Sequence, residues 1–268
     1  MTYEYGFIGT GNMGSALASA VVKKIAANDV AMYDYDPVKA KALADALGAT
    51  AVDGETLGKS SNYVVLGVKP QVLEAALTPL QGAFAENPDP VFVTMAAGTK
   101  MATVAALLGG DYPIIRIMPN TPVSVGAGTL LVARNDKVTE AQFEKFLSDF
   151  SEAGVIVPME ESQIEAAACL SGCGPAFVFQ YIEALAKAGV ALGMDYDTAA
   201  TLAKSTVRGS ALLSELSDES LETLRVRVCS PGGTTIEGVN SFVESDLDGV
   251  VAKAIRASYD RTLELLGE

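Results

Sequence analysis

The sequence predicts an α/β fold, with a doubly wound, mostly parallel sheet in the N-terminal part and an all-α C-terminal domain. Two observations carry this expectation. Up to about residue 160, short apolar strands alternate with helical segments of about a dozen residues. From Gln163 onward no convincing strand recurs, and the chain shows helical periodicity instead.

YGFIG (5–9) is a short apolar run ending in glycines, and SALASAVVKKIA reads as a helix after it. VAMYD (30–34) is the next strand. PVKAKALADALG then opens with proline at a helix start and closes on Gly48. YVVLGV (63–68), a helix from about Gln71, VFVTMA (91–96), a further helix, YPIIRIM (112–118), GTLLVA (128–133) and VIVPM (155–159) follow. Apolar strands separated by helices indicate a sheet covered on both faces. IEAAACLSG, PAFVFQYIEALAKAGVALG, YDTAATLAKSTVRGSALLSEL and LDGVVAKAIRASYDRTLELLG are the helices of the second part. The expected domains are therefore residues 1–162 and 163–268. The later helices are too apolar for a small lone bundle, which points to a dimer interface.

Composition narrows the function. The 268 residues are 49% apolar and 19% charged, as in a globular protein. A formal charge of −14 without a basic run excludes the phosphate-neutralising surface of a nucleic-acid binder. The N-terminus carries Glu4 and lacks the basic region of a signal peptide. The most apolar stretch, AFVFQYIEALAKAGVALGM, contains Gln180, Glu183 and Lys187 and does not read as a membrane span. A cytoplasmic protein without nucleic-acid or membrane partners is expected. Cys169 and Cys173 stand four apart, yet the chain has no histidine and only one further cysteine, Cys229. No metal site is expected; small buried thiols are the plainer reading.

GTGNMG supplies Gly9, Thr10, Gly11, Asn12, Met13 and Gly14 in the G-x-G-x-x-G spacing, between a strand and a helix. In a Rossmann-type domain Gly9 allows the tight turn, Gly11 lets the backbone approach a pyrophosphate, and Gly14 lets helix and strand pack closely. The helix N-terminus offers amides and a positive dipole to the phosphates. Asp34, twenty positions after Gly14, ends the second strand, where a carboxylate accepts from a ribose diol and repels a 2′-phosphate. No arginine stands nearby, so electrostatics leans towards NADH over NADPH; the alternative role for Asp34 is to cap the helix at Pro37. Three further loops end later strands: GVKPQ with Val68, Lys69 and Pro70, MAAGT with Ala96, Ala97 and Gly98, and MPNTP with Asn120. That edge of an open α/β sheet is where ligands bind.

GFIGTGNMGSAL, GVKPQ, AAG, RIMPNTPVSVGAG, LSGCGPAFVFQYIEALAKAGVALGM and SPGGTTIEGV, in this order, resemble pyrroline-5-carboxylate reductase over residues 5 to 262. The resemblance implies reduction of a cyclic imine, 1-pyrroline-5-carboxylate, to L-proline with NADH or NADPH as cofactor. It also implies a Rossmann domain and a helical domain that forms a homodimer, often a ring of dimers. Gly9 to Gly14 would hold the diphosphate, Lys69, Ala97 and Asn120 would face the nicotinamide half, and SPGGTT would hold the substrate. Cys173 and Phe177 stand where the family often has serine and tyrosine, and Gly54 stands where many members have an asparagine near the adenosine.

The chemistry suits a histidine-free chain. A protonated imine already carries its proton and accepts hydride to give an amine, whereas carbonyl reduction usually requires a general acid. Ser230, Gly232, Gly233 and Thr234 would turn backbone amides towards the substrate carboxylate. Thr235 is the candidate catalytic contact, donating to the ring nitrogen. Thr234 and Glu237 also have the T-x-x-E spacing of a capping box, so the segment could serve only to start a helix. A hydroxyacid dehydrogenase would need a lysine where Val178 stands. A non-catalytic dinucleotide-binding protein would not need SPGGTT.

Overall fold

The computed structural model describes residues 2–266 and separates into two compact units. One unit runs to Cys173 and takes in the chain again from Arg261; the other is Gly174–Asp260.

The first unit is built on strands β1 (Tyr3–Ile8), β2 (Val30–Tyr33), β3 (Thr50–Ala51), β4 (Ser61–Leu66), β5 (Val91–Thr94), β6 (Ile114–Pro119), β7 (Gly128–Arg134) and β8 (Gly154–Pro158). Between them lie helices α1 (Asn12–Val21), α2 (Pro37–Leu47), α3 (Gly54–Ser60), α4 (Leu73–Leu77), α5 (Gln81–Glu86), α6 (Met101–Leu108) and α7 (Glu140–Asp149). Helix α8 (Ile164–Ser171) follows the last strand. The sheet order is β3-β2-β1-β4-β5-β6-β7-β8. Every pairing is parallel except that of β6 with β7, and the order reverses between β1 and β4. Only residues 120–127 join β6 to β7, too short a connection for a parallel crossover.

Both faces of the sheet are covered, so its strands read as near-continuous apolar runs. Tyr63 and Val65 pack into one core with Leu17 and Val21 of α1 and Phe146 of α7. Val64 and Leu66 pack into the other with Leu57, Leu73, Phe84 and Val104. Each such fully buried side chain contributes roughly 1.5–3 kcal/mol. In the first core Tyr5 stacks on Tyr63 at 4.8 Å, and its hydroxyl donates to Asp149 Oδ2 at 2.9 Å.

The expected strands are all present, with β3 in addition. The helix expected from Gln71 is interrupted: short 3₁₀ turns at Pro70–Val72 and Thr78–Leu80 flank α4. Both turns begin at or beside a proline, which lacks the amide donor a continuous helix needs. Asp36, not Asp34, caps α2: its Oδ1 accepts from the Val38 amide at 3.0 Å. The pattern turns helical at Gln163, but the packing partner changes only at Gly174, because Ile164 is fully buried in the second core of the sheet unit.

The second unit comprises α9 (Gly174–Ala191), α10 (Tyr196–Glu215), α11 (Leu221–Val228), α12 (Thr234–Glu244) and most of α13 (Leu247–Leu266). Its own core is three alanines, Ala186, Ala199 and Ala200, where α9 meets α10. Phe179, Leu192, Leu213, Leu216 and Val243 are exposed. Among the described residues, no helix is long and apolar enough to cross a membrane.

Gly14 is fixed by space, since a Cβ there would lie 2.4 Å from the Gly9 carbonyl oxygen. Gly14→Ala should therefore destabilise the protein by about 1–3 kcal/mol, read as a lower urea midpoint. An unchanged midpoint would mean that α1 moves off the turn without cost.

Candidate active site

The C-terminal ends of β1, β2, β4, β5 and β6 share one edge of the sheet, and the reversal between β1 and β4 opens a crevice there. Gly9 has φ +97, and its amide donates to the Tyr33 carbonyl at 2.8 Å, joining the glycine turn to the end of β2. A Cβ on Gly67 would come within 2.6 Å of the Gly9 oxygen, so the turns after β1 and β4 touch backbone to backbone. At Gly11 a Cβ would meet no atom of the described residues within 4 Å. The fold itself does not require glycine there, which suits close approach by a diphosphate. The first helical bond of α1 runs from the Ser15 amide to the Gly11 carbonyl, so the amides of Asn12, Met13 and Gly14 form the turn that a helix leaves unpaired.

Thr10 is buried and turned inward. Its amide and hydroxyl both donate to Asp34 Oδ2, at 2.7 and 2.9 Å, while Asp34 Oδ1 accepts from the Asp36 amide at 3.0 Å. Burial alone would raise the Asp34 carboxyl, but the Thr10 and Asp36 donors outweigh it and hold the group below the usual carboxylate range. Asp34 lines a cleft of about 690 Å³ with Tyr33, Tyr35, Lys41, Val52 and Asp53. Asp53 is also held low, by the Thr56 amide and hydroxyl, so both carboxylates in the cleft are charged at neutral pH. Lys41 is paired with Asp45 at 2.9 Å. Gly54 fits here because a Cβ would press on Leu80 and the Tyr33 ring.

The other loops on this edge differ in character. Val68 and Pro70 are half-buried, Lys69, Ala97 and Gly98 are exposed, and Ala96 is buried. Asn120 is a tie within the fold: its Nδ2 donates to the Ser171 carbonyl at 2.9 Å, and its Oδ1 accepts from the Thr129 amide at 2.8 Å. One N–H of the Asn120 amide lies beyond these two bonds.

In the helical unit, Ser230 to Gly233 close a turn with the Gly233 amide on the Ser230 carbonyl at 2.9 Å. Pro231 followed by Gly232 at φ +67 has the signature of a type II turn. The expected capping box is not formed. Helix α12 has Gly233 as its N-cap with no side-chain hydrogen bond, which puts Thr234 and Thr235 at its first two positions. The helix starts one residue before the place where Thr234 could cap it, and the amides of Thr234, Thr235 and Ile236 have no side-chain cap. The thiols divide, Cys169 being buried and Cys173 and Cys229 partly so.

Sequence reading did not single out the Arg116 cluster. Arg116 is 1% exposed within β6, and its guanidinium meets Glu161 at 3.2 Å and Glu165 at 2.5 Å. An arginine inside the apolar run YPIIRIM was the available signal.

A doubly wound sheet with a glycine turn at its reversal, followed by a helical unit, is the plan of a dinucleotide-binding protein. Residues 4–98 match the family described as NADP oxidoreductase coenzyme F420-dependent, and residues 161–265 match pyrroline-5-carboxylate reductase dimerisation. The pyrroline-5-carboxylate reductase of Aquifex aeolicus is 34% identical over 266 residues, spanning 99% of this chain and 98% of that protein. The solved structure of the Coxiella burnetii pyrroline-5-carboxylate reductase superposes with a TM-score of 0.92 at 30% identity, covering 99% of both chains. That of the Plasmodium falciparum enzyme, with NADP bound, gives 0.84 at 26% identity over 99% of this chain and 98% of that one. The chain belongs to the pyrroline-5-carboxylate reductase family, and its helical domain is a dimerisation domain.

The lowered Asp34 carboxyl has a consequence for stability. Its contribution is fully present above the ordinary aspartate pKa of about 3.9 and is lost as pH falls through the lower folded value. Asp34→Ala should flatten the acid limb of the urea midpoint against pH below about pH 4. A limb superimposable on the wild type would show that Thr10 does not stabilise the charge.

Proposed function

We propose that this chain reduces 1-pyrroline-5-carboxylate to L-proline with a nicotinamide dinucleotide, as a homodimer or a ring of dimers. Family membership across the whole chain carries this reading. The bound dinucleotide supplies the hydride. Residues 1–162 bind it and residues 163–268 hold the substrate and the partner subunit. The amides of Asn12, Met13 and Gly14 take the diphosphate; the loops at Val68 to Pro70 and Ala96 to Gly98, with Asn120, orient the nicotinamide half.

The substrate carboxylate fits the start of α12. Gly233 brings no side chain to the cap, so the first-turn amides of that helix are left to an anion, and Gly232 supplies the turn that aims them. Thr235, exposed on the first turn, donates its hydroxyl to the ring nitrogen as that nitrogen becomes an amine. No protein acid is needed, because the protonated imine brings its own proton. The small alanine core of the helical unit and its exposed large apolar side chains favour assembly through that unit.

For the cofactor we favour NADH over NADPH. The cleft at the end of β2 presents two charged carboxylates, Asp34 and Asp53, and its one lysine is already paired. A 2′-phosphate there meets repulsion.

Oxidation of NADH and NADPH by the purified protein with the imine decides the activity: turnover is expected, faster with NADH, and no rate with either would refute the assignment. Thr235→Ala should lower kcat/KM about tenfold or more, equivalent to about 1.4 kcal/mol for one lost polar contact. Kinetics equal to wild type would remove Thr235 from the reacting centre. Asp34→Ala should move the ratio of NADPH to NADH activity upward by about tenfold; a constant ratio would place discrimination elsewhere.

A further inference from the structure

We propose that Arg116 and Glu161 are positioning residues for the nicotinamide half of the cofactor, acting by fixing the loop of Ala96 to Gly98. This rests on the reading that the loop faces the cofactor.

The geometry converges on one oxygen. Glu161 Oε1 accepts from Arg116 Nη1 at 3.2 Å and from the Met101 amide at 2.7 Å. Met101 is the first residue of α6, whose own N-cap, Lys100, makes no side-chain capping bond. A helix following a ligand-side loop therefore takes its cap from a residue 60 positions further along the chain. At its start the same loop leaves β5 at buried Thr94, and it turns through Gly98 at φ +68. Its two ends are thus held by the sheet and by Glu161, with exposed Ala97 between them.

Arg116 in turn holds Glu161. The guanidinium lies between Glu161 and Glu165, while its buried Nε has no hydrogen-bond partner among the described residues. A buried ion pair is a weak stabiliser beside well-packed apolar residues, and an orphaned Nε adds cost. Core stability alone does not call for arginine in this strand. Holding a carboxylate at the head of α6 does.

The test uses the full-length protein and compares two probes, NADH and ADP-ribose, the latter lacking the nicotinamide. Glu161→Ala should weaken NADH binding at least fivefold while ADP-ribose binding changes less than twofold. Glu161→Gln keeps an acceptor for the Met101 amide and should fall between Ala and wild type. Glu165→Gln, which also touches Arg116 but not α6, should leave NADH within twofold. The proposal is overturned if Glu161→Ala binds NADH within twofold of wild type, or if it loses both probes equally. Should that variant fail to fold, Glu161→Gln decides, a selective NADH loss of at least twofold supporting the proposal and none overturning it. Ala97→Leu checks the underlying reading separately: unchanged NADH binding there would mean that the loop does not meet the nicotinamide, whatever Glu161 does.

Discussion

The sheet unit depends on a single close approach. The turns after β1 and β4 meet at Gly9 and Gly67, and α1 enters the same space at Gly14, where one methyl group would lie 2.4 Å from a carbonyl oxygen. The narrowness of the crevice at this point and the aim of the α1 N-terminus depend on that contact. With no side chains at the crossing, the strands can stay in register while the helix starts directly above their ends. Asp34 completes the arrangement by drawing Thr10 inward, so that the turn is held from β2 as well as by its own glycines.

The two units solve burial differently. The sheet unit has a core on each face, filled by aromatic and branched side chains. The helical unit packs α9 on α10 through alanines and keeps its large apolar residues outside. Small residues at that crossing let the helices approach closely, but they bury little area. Its helices are therefore regular in sequence and incomplete as a core, which is what a dimerisation domain requires of a single chain.

Much of this was legible in the residues. Seven apolar runs each became a strand; the inner ones are legible because a strand covered on both faces cannot hide its hydrophobicity from the sequence, whereas β8 at the sheet edge is only partly covered. The two-residue β3 could not be found that way, since Thr50 and Ala51 have no periodicity to show. The glycine fingerprint and the terminal carboxylate of β2 were readable because each is a local arrangement within one βαβ unit. The capping box was legible and misplaced: T-x-x-E fits the spacing, yet α12 begins with Thr234 already inside it, after the Pro231–Gly232 turn. A one-residue shift of this kind is decided by the turn, not by the helix.

What the sequence by itself determined is the alternation of elements, the glycine turns and the family, because these rest on residue type at short spacing. Only the tertiary structure decided the long-range ties. Glu161 reaches the Met101 amide across 60 residues, Asn120 joins Ser171 to Thr129, and Asp34 anchors Thr10 rather than a helix. Such bonds are made by polar side chains whose partners lie on other elements, and nothing in their local pattern names the partner. The sheet brings them within reach, and burial then makes their hydrogen bonds obligatory.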